Sequence, residues 1–226
     1  MRRSIKGGNR GLFVVRNSVR GTVTAVLVAV SVAVTGCTSS AQDAGGGGGK
    51  AAPKPRAAAR SATKGGSVGG SGSACALPVT FDLADSWKPE AVQLGADDAL
   101  NELARQGPLT LVCEIDAKPA GSIGFLRVWT GDRADRTPRQ VLEAFLADEP
   151  NAGKITYTDT EAGTLPATEV GYTISSELLD GPQRKRAFAV STPRGPVVVH
   201  LGGLDSAEYE EMLPAYELAK RTVRLG

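Results

Sequence analysis

The 226-residue chain carries 26 basic and 24 acidic residues, but these charges are unevenly distributed along it. Residues 1–36 contain six basic and no acidic residues, whereas residues 75–226 contain 15 basic and 23 acidic residues, a net charge of −8. Because binding to a nucleic-acid backbone requires a basic surface, this acidic segment argues against nucleic acid as a partner.

The N-terminus has the organisation of a bacterial secretion signal. Six basic residues between Arg2 and Arg20 precede an apolar run from Thr22 to Val34. The run of about 13 residues lies within the ~7–15 of a signal peptide and below the ~20 that a spanning helix needs. We therefore predict that residues 1–36 are a signal peptide rather than a permanent transmembrane segment.

The apolar run ends in Val34-Thr35-Gly36-Cys37, which resembles the lipobox of bacterial lipoproteins. The resemblance implies cleavage before Cys37, a diacylglyceryl thioether on its sulfur and often a fatty acid such as palmitate on the new N-terminus. Two or more acyl chains anchor a protein stably, so we expect a location at the outer face of the cell membrane. The alternative is an ordinary signal peptide or a simple anchor, with Cys37 a bystander.

Residues 37–74 are predicted to form a lipidated, disordered tether, because they lack aromatic residues and are rich in Gly, Ala and Ser. A coil of about 37 residues has an average reach of roughly 30–35 Å. Five basic residues between Lys50 and Lys64 are interpreted either as part of a solvated spacer or as a loose contact with anionic lipid or wall polymer.

Lipidation of Cys37 would leave Cys75 and Cys113 as the remaining cysteines. In an exported domain this pair favours a disulfide bond, and the alternative is two buried thiols. A metal site is disfavoured, because the chain has no CxxC motif and His200 is its sole histidine.

Residues 75–226 are predicted to form a single globular domain with alternating strand and helix patterns. A break is expected at 86–89, Thr137 and Ser206 are the expected N-caps of the second and third helices, and Pro150 is expected to end the second. The predicted strands are 79–83, 109–115, 123–129, 154–158, 167–175, 184–192 and 196–201, and the predicted helices are 97–105, 137–149 and a C-terminal helix from 206.

Short links between the later strands require antiparallel pairing, so the expected fold class is α+β, an antiparallel sheet flanked by helices. Residues 75–226 resemble the LpqN-type lipoproteins of actinobacteria and, more distantly, PsbP-like domains. The resemblance rests on Phe81 and Trp87, the mid-chain helix, the Arg184–Leu201 hairpin and the Asp205–Tyr209 segment before the last helix. It implies an accessory, partner-binding role, without shared catalytic residues.

Candidate functional residues are few. His200 follows an apolar run and is interpreted as structural. Trp87 and Trp129 are interpreted as core residues, with the lining of a ligand groove as the alternative. Arg184-Lys185-Arg186 is interpreted as solvated charge on an edge strand, with a docking patch for an acidic partner as the alternative.

The sequence therefore predicts a non-enzymatic binding or accessory module of the cell envelope, monomeric and without metal or cofactor. Its partners would be membrane lipid through Cys37 and an envelope protein or apolar ligand. The alternative is a carboxylate-dependent envelope hydrolase or transferase. Converging Asp and Glu side chains in a deep cleft would favour the enzyme, and a shallow apolar groove would favour the binding module.

Overall fold

A computed structural model describes residues 61–95, 98–176 and 181–226. The chain divides into two units, Met1–Ala52 and Pro53–Gly226, and every described residue belongs to the second. Its elements in chain order are β1 (Lys64–Val68), β2 (Val79–Ala84), β3 (Lys88–Ala91), α1 (Asp98–Leu103), β4 (Arg105–Gln106), β5 (Leu109–Asp116), a 3₁₀ turn (Lys118–Ala120), β6 (Phe125–Thr130), α2 (Pro138–Leu146), β7 (Ala152–Ala162), β8 (Leu165–Ile174), β9 (Gln183–Thr192), β10 (Gly195–Gly202), α3 (Ser206–Arg221) and β11 (Arg224–Leu225).

Eight strands form one antiparallel sheet in the order β3-β5-β6-β10-β9-β8-β7, with β4 paired to β5. Strands β1, β2 and β11 form a second antiparallel sheet. Helix α2 packs on one face of the large sheet, while α3 and the small sheet cover the other. Strand β10 is consequently buried on both faces. The expected α+β fold, an antiparallel sheet flanked by helices, is confirmed.

The predicted mid-chain helix is confirmed, and its sequence explains where it begins. Thr137 accepts a hydrogen bond from the Gln140 backbone amide, and the Gln140 side chain accepts one from the Thr137 amide, which is a reciprocal capping box. Pro138 occupies the first turn, where its missing N–H costs nothing. The helix buries Val141 and Phe145 against the sheet and ends at Leu146, before Pro150.

The predicted tether ends earlier than Ala74. Lys64–Val68 form a strand paired with β2, and Val68 is fully buried. At least one of the glycines that suggested a linker is required by the fold: Gly69 has a φ of 97°, and a Cβ there would lie 1.9 Å from the Val79 carbonyl oxygen. The boundary predicted at residue 75 was therefore wrong, since β1 already belongs to the domain. The signal peptide, Cys37 and tether residues 38–60 lie outside the described residues.

Three further predictions needed correction. The expected break at 86–89 is followed at once by β3, which tolerates Pro89 because β3 is an edge strand. The N-cap of α3 is Asp205 rather than Ser206, since the Asp205 carboxylate accepts from two backbone amides of the first turn. Strand β9, which carries Arg184-Lys185-Arg186, lies between β10 and β8 and is not an edge.

Candidate functional site

The predicted disulfide is present. Cys75 and Cys113 are bonded with their Cα atoms 5.9 Å apart, and both are essentially fully buried. The bond links the chain just before β2 to strand β5 of the large sheet. It therefore connects the two sheets within their shared hydrophobic core, and the alternative of two buried thiols is excluded for this pair.

A groove of about 480 Å³, called the Trp87 groove below, lies where the described chain begins. It is bounded by the start of β1, the β2–β3 turn, the turn before β6 and one side of α3. Its lining residues are Ser61, Ala62, Thr63, Ala84, Asp85, Trp87, Ala120, Gly121, Ser122, Glu211, Pro214 and Ala215.

The β2–β3 turn positions the tryptophan of this groove. Ser86 has a left-handed backbone with a φ of 65°, and the Trp87 amide donates to the Ala84 carbonyl at 3.2 Å. The Asp85 amide donates to the Thr63 carbonyl at 2.8 Å, which fixes the incoming chain against the turn. Trp87 is only 8% exposed, so most of the indole packs in the core while its edge lines the groove. The core interpretation of Trp87 is the one that the structure supports, and its role in ligand binding stays a prediction.

The chemistry of the Trp87 groove is mixed. Apolar surface comes from Trp87 and small side chains, and hydroxyls come from Ser61, Thr63 and Ser122. Asp85 and Glu211 add two carboxylates, and none of the described lining residues is Lys or Arg. Such a lining suits a ligand that combines an apolar body with hydrogen-bond donors or a positive charge.

A second groove of about 190 Å³ lies on the outer part of the large sheet, beside the start of α3. We call it the Gly171 groove. Its lining is rich in cations and comprises Lys154, Thr156, Gly171, Tyr172, Thr173, Arg184, Lys185, Arg186 and Tyr209.

The Arg184-Lys185-Arg186 stretch lines this second groove but is not freely solvated. Arg184 pairs with Glu210, and its guanidinium lies over the Tyr209 ring at 4.7 Å. Arg186 Nη1 lies 3.1 Å from the Glu217 carboxylate. Because β9 is an internal strand, the interpretation of this triplet as charge that protects a sheet edge was wrong.

Lys185 occupies the opposite face of β9 and is half-buried. Its Nζ donates to the Gly203 carbonyl at 2.6 Å, and burial together with the charge of Arg127 lowers the pKa of Lys185. The hydrogen bond from its ammonium therefore connects β9 to the loop that follows β10.

His200 and Trp129 lie in the core under α2, outside both grooves. His200 Nε2 is 3.0 Å from the Tyr172 hydroxyl, and burial lowers the pKa of His200 to about 3, with Lys185 and Arg127 as further causes. Trp129 is 5% exposed and packs edge-on against Phe145, with ring centroids 5.6 Å apart. The core interpretation of Trp129 is the one that the structure supports.

Sequence reasoning identified Trp87, Arg184, Lys185 and Arg186 but missed the residues that complete each groove. Those residues come from distant segments: Ser61–Thr63, Ser122 and Glu211 for the first groove, and Lys154, Gly171 and Tyr209 for the second. The sequence could have predicted the irregular pairing near Lys154, because glycine beside a strand pattern, here Gly153, often marks a β-bulge.

Within the described ranges, no helix combines the length and the apolar composition needed to cross a membrane.

Comparison with solved structures finds similarity to the solution structure of cyanobacterial PsbP from Synechocystis sp. PCC 6803, at 12% identity and a TM-score of 0.46. The similarity covers 71% of this chain and 98% of the cyanobacterial protein. Comparison with curated proteins finds no match.

A family model described as "uncharacterised lipoprotein" matches residues 46–223, which is most of the chain and nearly all of the described domain. The match begins beyond the lipobox, so it depends on the domain and not on Val34–Cys37. The prediction of a lipoprotein is confirmed from a different part of the sequence: the chain belongs to this lipoprotein family.

Proposed function

We propose that the protein is a binding module of the cell envelope, held at the outer face of the membrane by acyl chains on Cys37, which takes its ligand in the Trp87 groove. The ligand is an apolar group or an envelope-protein segment that also presents hydrogen-bond donors. The proposal rests on membership of a lipoprotein family together with the composition of that groove.

The observation that carries the proposal is where the Trp87 groove lies along the chain. Ser61 and Thr63, which line it, are the first described residues after the tether sequence. The 25 residues from Cys37 to Ser61 span at most about 85 Å even when fully extended. As a Gly-rich coil they would average ~25–30 Å. An acyl anchor on Cys37 would therefore hold this groove within about 85 Å of the membrane surface.

Site-specific photo-crosslinking tests this function. A photoreactive amino acid replaces Ser122, a half-buried residue of the groove wall, in the full chain expressed in its own host. Irradiation of intact cells is expected to give a discrete adduct, because a bound ligand lies within reach of this wall.

Thr164 provides the control position, since it is exposed in the β7–β8 turn and lines neither groove. The proposal predicts an adduct from position 122 and none from position 164. Equal yields at the two positions, or none at either, would contradict binding in the Trp87 groove.

A second candidate function follows from Asp85 and Glu211, because paired carboxylates in one groove can perform acid–base hydrolysis or transfer. The variant Glu211→Gln separates the two candidates. A binding module would keep the position-122 adduct and release no product from isolated envelope. An enzyme would release product from envelope with the parent chain and lose this release in Glu211→Gln, while keeping the adduct.

A further inference from the structure

The floor of the Gly171 groove is a gap in a row of side chains across three strands. Thr156 of β7, Gly171 of β8 and Arg186 of β9 are direct neighbours in register. A Cβ added at Gly171 would meet nothing within 4 Å. The space between Thr156 and Arg186 is therefore open. A Cβ at position 171 would enter this space without a steric clash.

A bulge in β7 brings a lysine to this gap. The register shifts between Gly153 and Thr156, so Lys154 and Ile155 together oppose Tyr172 alone. Lys154 has a φ of 50°, a left-handed conformation that is unfavourable for a residue with a Cβ. Bulges redirect side chains, and this one places Lys154 in the groove wall. In the described part of the chain, no carboxylate oxygen lies within 4.0 Å of the Lys154 ammonium.

Two arginines form the opposite wall, and carboxylates hold them in place. Arg184 is paired with Glu210 and rests on the Tyr209 ring. Both ion pairs of Arg186 use Nη1, at 3.1 Å to Glu217 and 3.7 Å to Glu169. A guanidinium has five N–H donors in a fixed plane, so these contacts orient each arginine while using only part of its donor set.

We propose that the Gly171 groove binds a phosphate group, provided either by a dissolved phosphate or by a lipid head group. Lys154, Arg184 and Arg186 supply charge from two sides, and Thr156, which carries a hydroxyl, belongs to the same lining. The Thr173 hydroxyl is already used, since it donates to the Gly153 carbonyl at 3.2 Å. Arginine forks match the oxygens of phosphate, and lysine adds a point charge. The acidic domain as a whole repels a polyanion such as nucleic acid, but this local cluster suits a single phosphate. The site is separate from the Trp87 groove and does not depend on its ligand.

Two variants remove different features of the site. Lys154→Gln removes a cation that has no ion pair among the described residues, so the fold loses no salt bridge. Gly171→Val fills the floor, and a β-branched residue suits a strand where its Cβ meets nothing. The matched control is Lys118→Gln, which removes an equally exposed cation from a residue that lines neither groove.

The experiment titrates inorganic phosphate into the full, natively processed protein in dodecyl maltoside micelles, whose head group contains no phosphate. The Gly171 amide is followed by NMR; in Gly171→Val, the Thr173 amide is followed instead. Saturable changes in the chemical shift of the Gly171 amide are expected in the parent protein and in Lys118→Gln. Both Lys154→Gln and Gly171→Val are expected to weaken binding at least tenfold. Equal affinity in all four proteins would overturn the proposal.

Addition of phosphatidylglycerol to the same micelles, without inorganic phosphate, distinguishes the two sources. Shifts of the same amide that are lost in Lys154→Gln would identify a lipid head group as the ligand. Shifts with dissolved phosphate alone would identify a soluble phosphate compound. If neither condition moves the Gly171 amide, the groove is not a phosphate site.

Discussion

At the level of single residues, His200 shows most clearly how burial changes the protonation of a side chain. His200 is fully buried beneath α2, with the Tyr172 hydroxyl 3.0 Å from Nε2 and the Phe145 ring 5.8 Å away. Lys185 and Arg127 are the charged groups that act on it, and both disfavour a second positive charge. The imidazole is therefore neutral in the fold, and its role is to satisfy a hydrogen bond inside the core.

This burial predicts a pH dependence of stability. The pKa of His200 is about 3 in the fold and about 6.5 in an unfolded chain, so the unfolded state binds more protons between these values. Protonation of His200 in the unfolded state therefore does not reduce the free energy of unfolding above pH 6.5. Below pH 6.5 the free energy of unfolding decreases as the pH falls towards 3. Between pH 7 and 4 we expect a loss of up to about 3 kcal/mol from this residue.

Urea denaturation of the parent protein and of His200→Gln at both pH values tests this prediction. Glutamine can retain a hydrogen bond to Tyr172 but does not titrate, so its stability should fall less between pH 7 and 4. If the unfolding free energy falls equally in the two proteins, His200 is not the cause of the pH dependence. Carboxyl groups would then account for it.

At the scale of elements, patterned segments were predictable from sequence and long-range ones were not. Helix α2 and strands β8–β10 follow directly from apolar periodicity, a capping box and short turns. Strand β1 was not predictable, because its sequence Lys-Gly-Gly-Ser-Val contains one apolar residue and depends on pairing with β2. The grooves were missed for the same reason: each joins side chains from segments that only the fold brings together.

Two glycine variants test whether the segment around β1 belongs to the folded domain and not to the tether. Gly69→Ala forces a side chain into a left-handed residue and against the Val79 carbonyl, so we expect a loss of at least about 2 kcal/mol in unfolding free energy. Gly66→Ala is the matched control, since a Cβ there meets nothing within 4 Å. Thermal unfolding of both variants should separate them clearly. Equal stability would restore the original tether interpretation of this segment.

At the scale of the whole molecule, the disulfide joins the N-terminal sheet to the main sheet across 38 positions of sequence. Replacing both Cys75 and Cys113 by Ala should lower the unfolding free energy by about 3–4 kcal/mol, on the chain-entropy estimate for a loop of this length. Urea denaturation under non-reducing conditions measures this difference. A change below about 1 kcal/mol would mean that core packing alone holds the two sheets together.

The proposed acyl anchor on Cys37 would confine the Trp87 groove to the distance from the membrane that the residues after Cys37 can span. The family match supports a lipoprotein through the domain, whereas the lipidation site depends on the Val34–Cys37 pattern alone. The domain and the Val34–Cys37 pattern thus support a lipoprotein independently of each other.

Mass spectrometry of the mature N-terminal peptide, combined with membrane fractionation of Cys37→Ala, tests the account most directly. The account predicts a chain that starts at Cys37 and carries a diacylglyceryl group. It also predicts that Cys37→Ala is released from the membrane or accumulates as the unprocessed precursor. An unmodified Cys37 in the mature protein, or processed Cys37→Ala that fractionates with membranes like the parent chain, would contradict it.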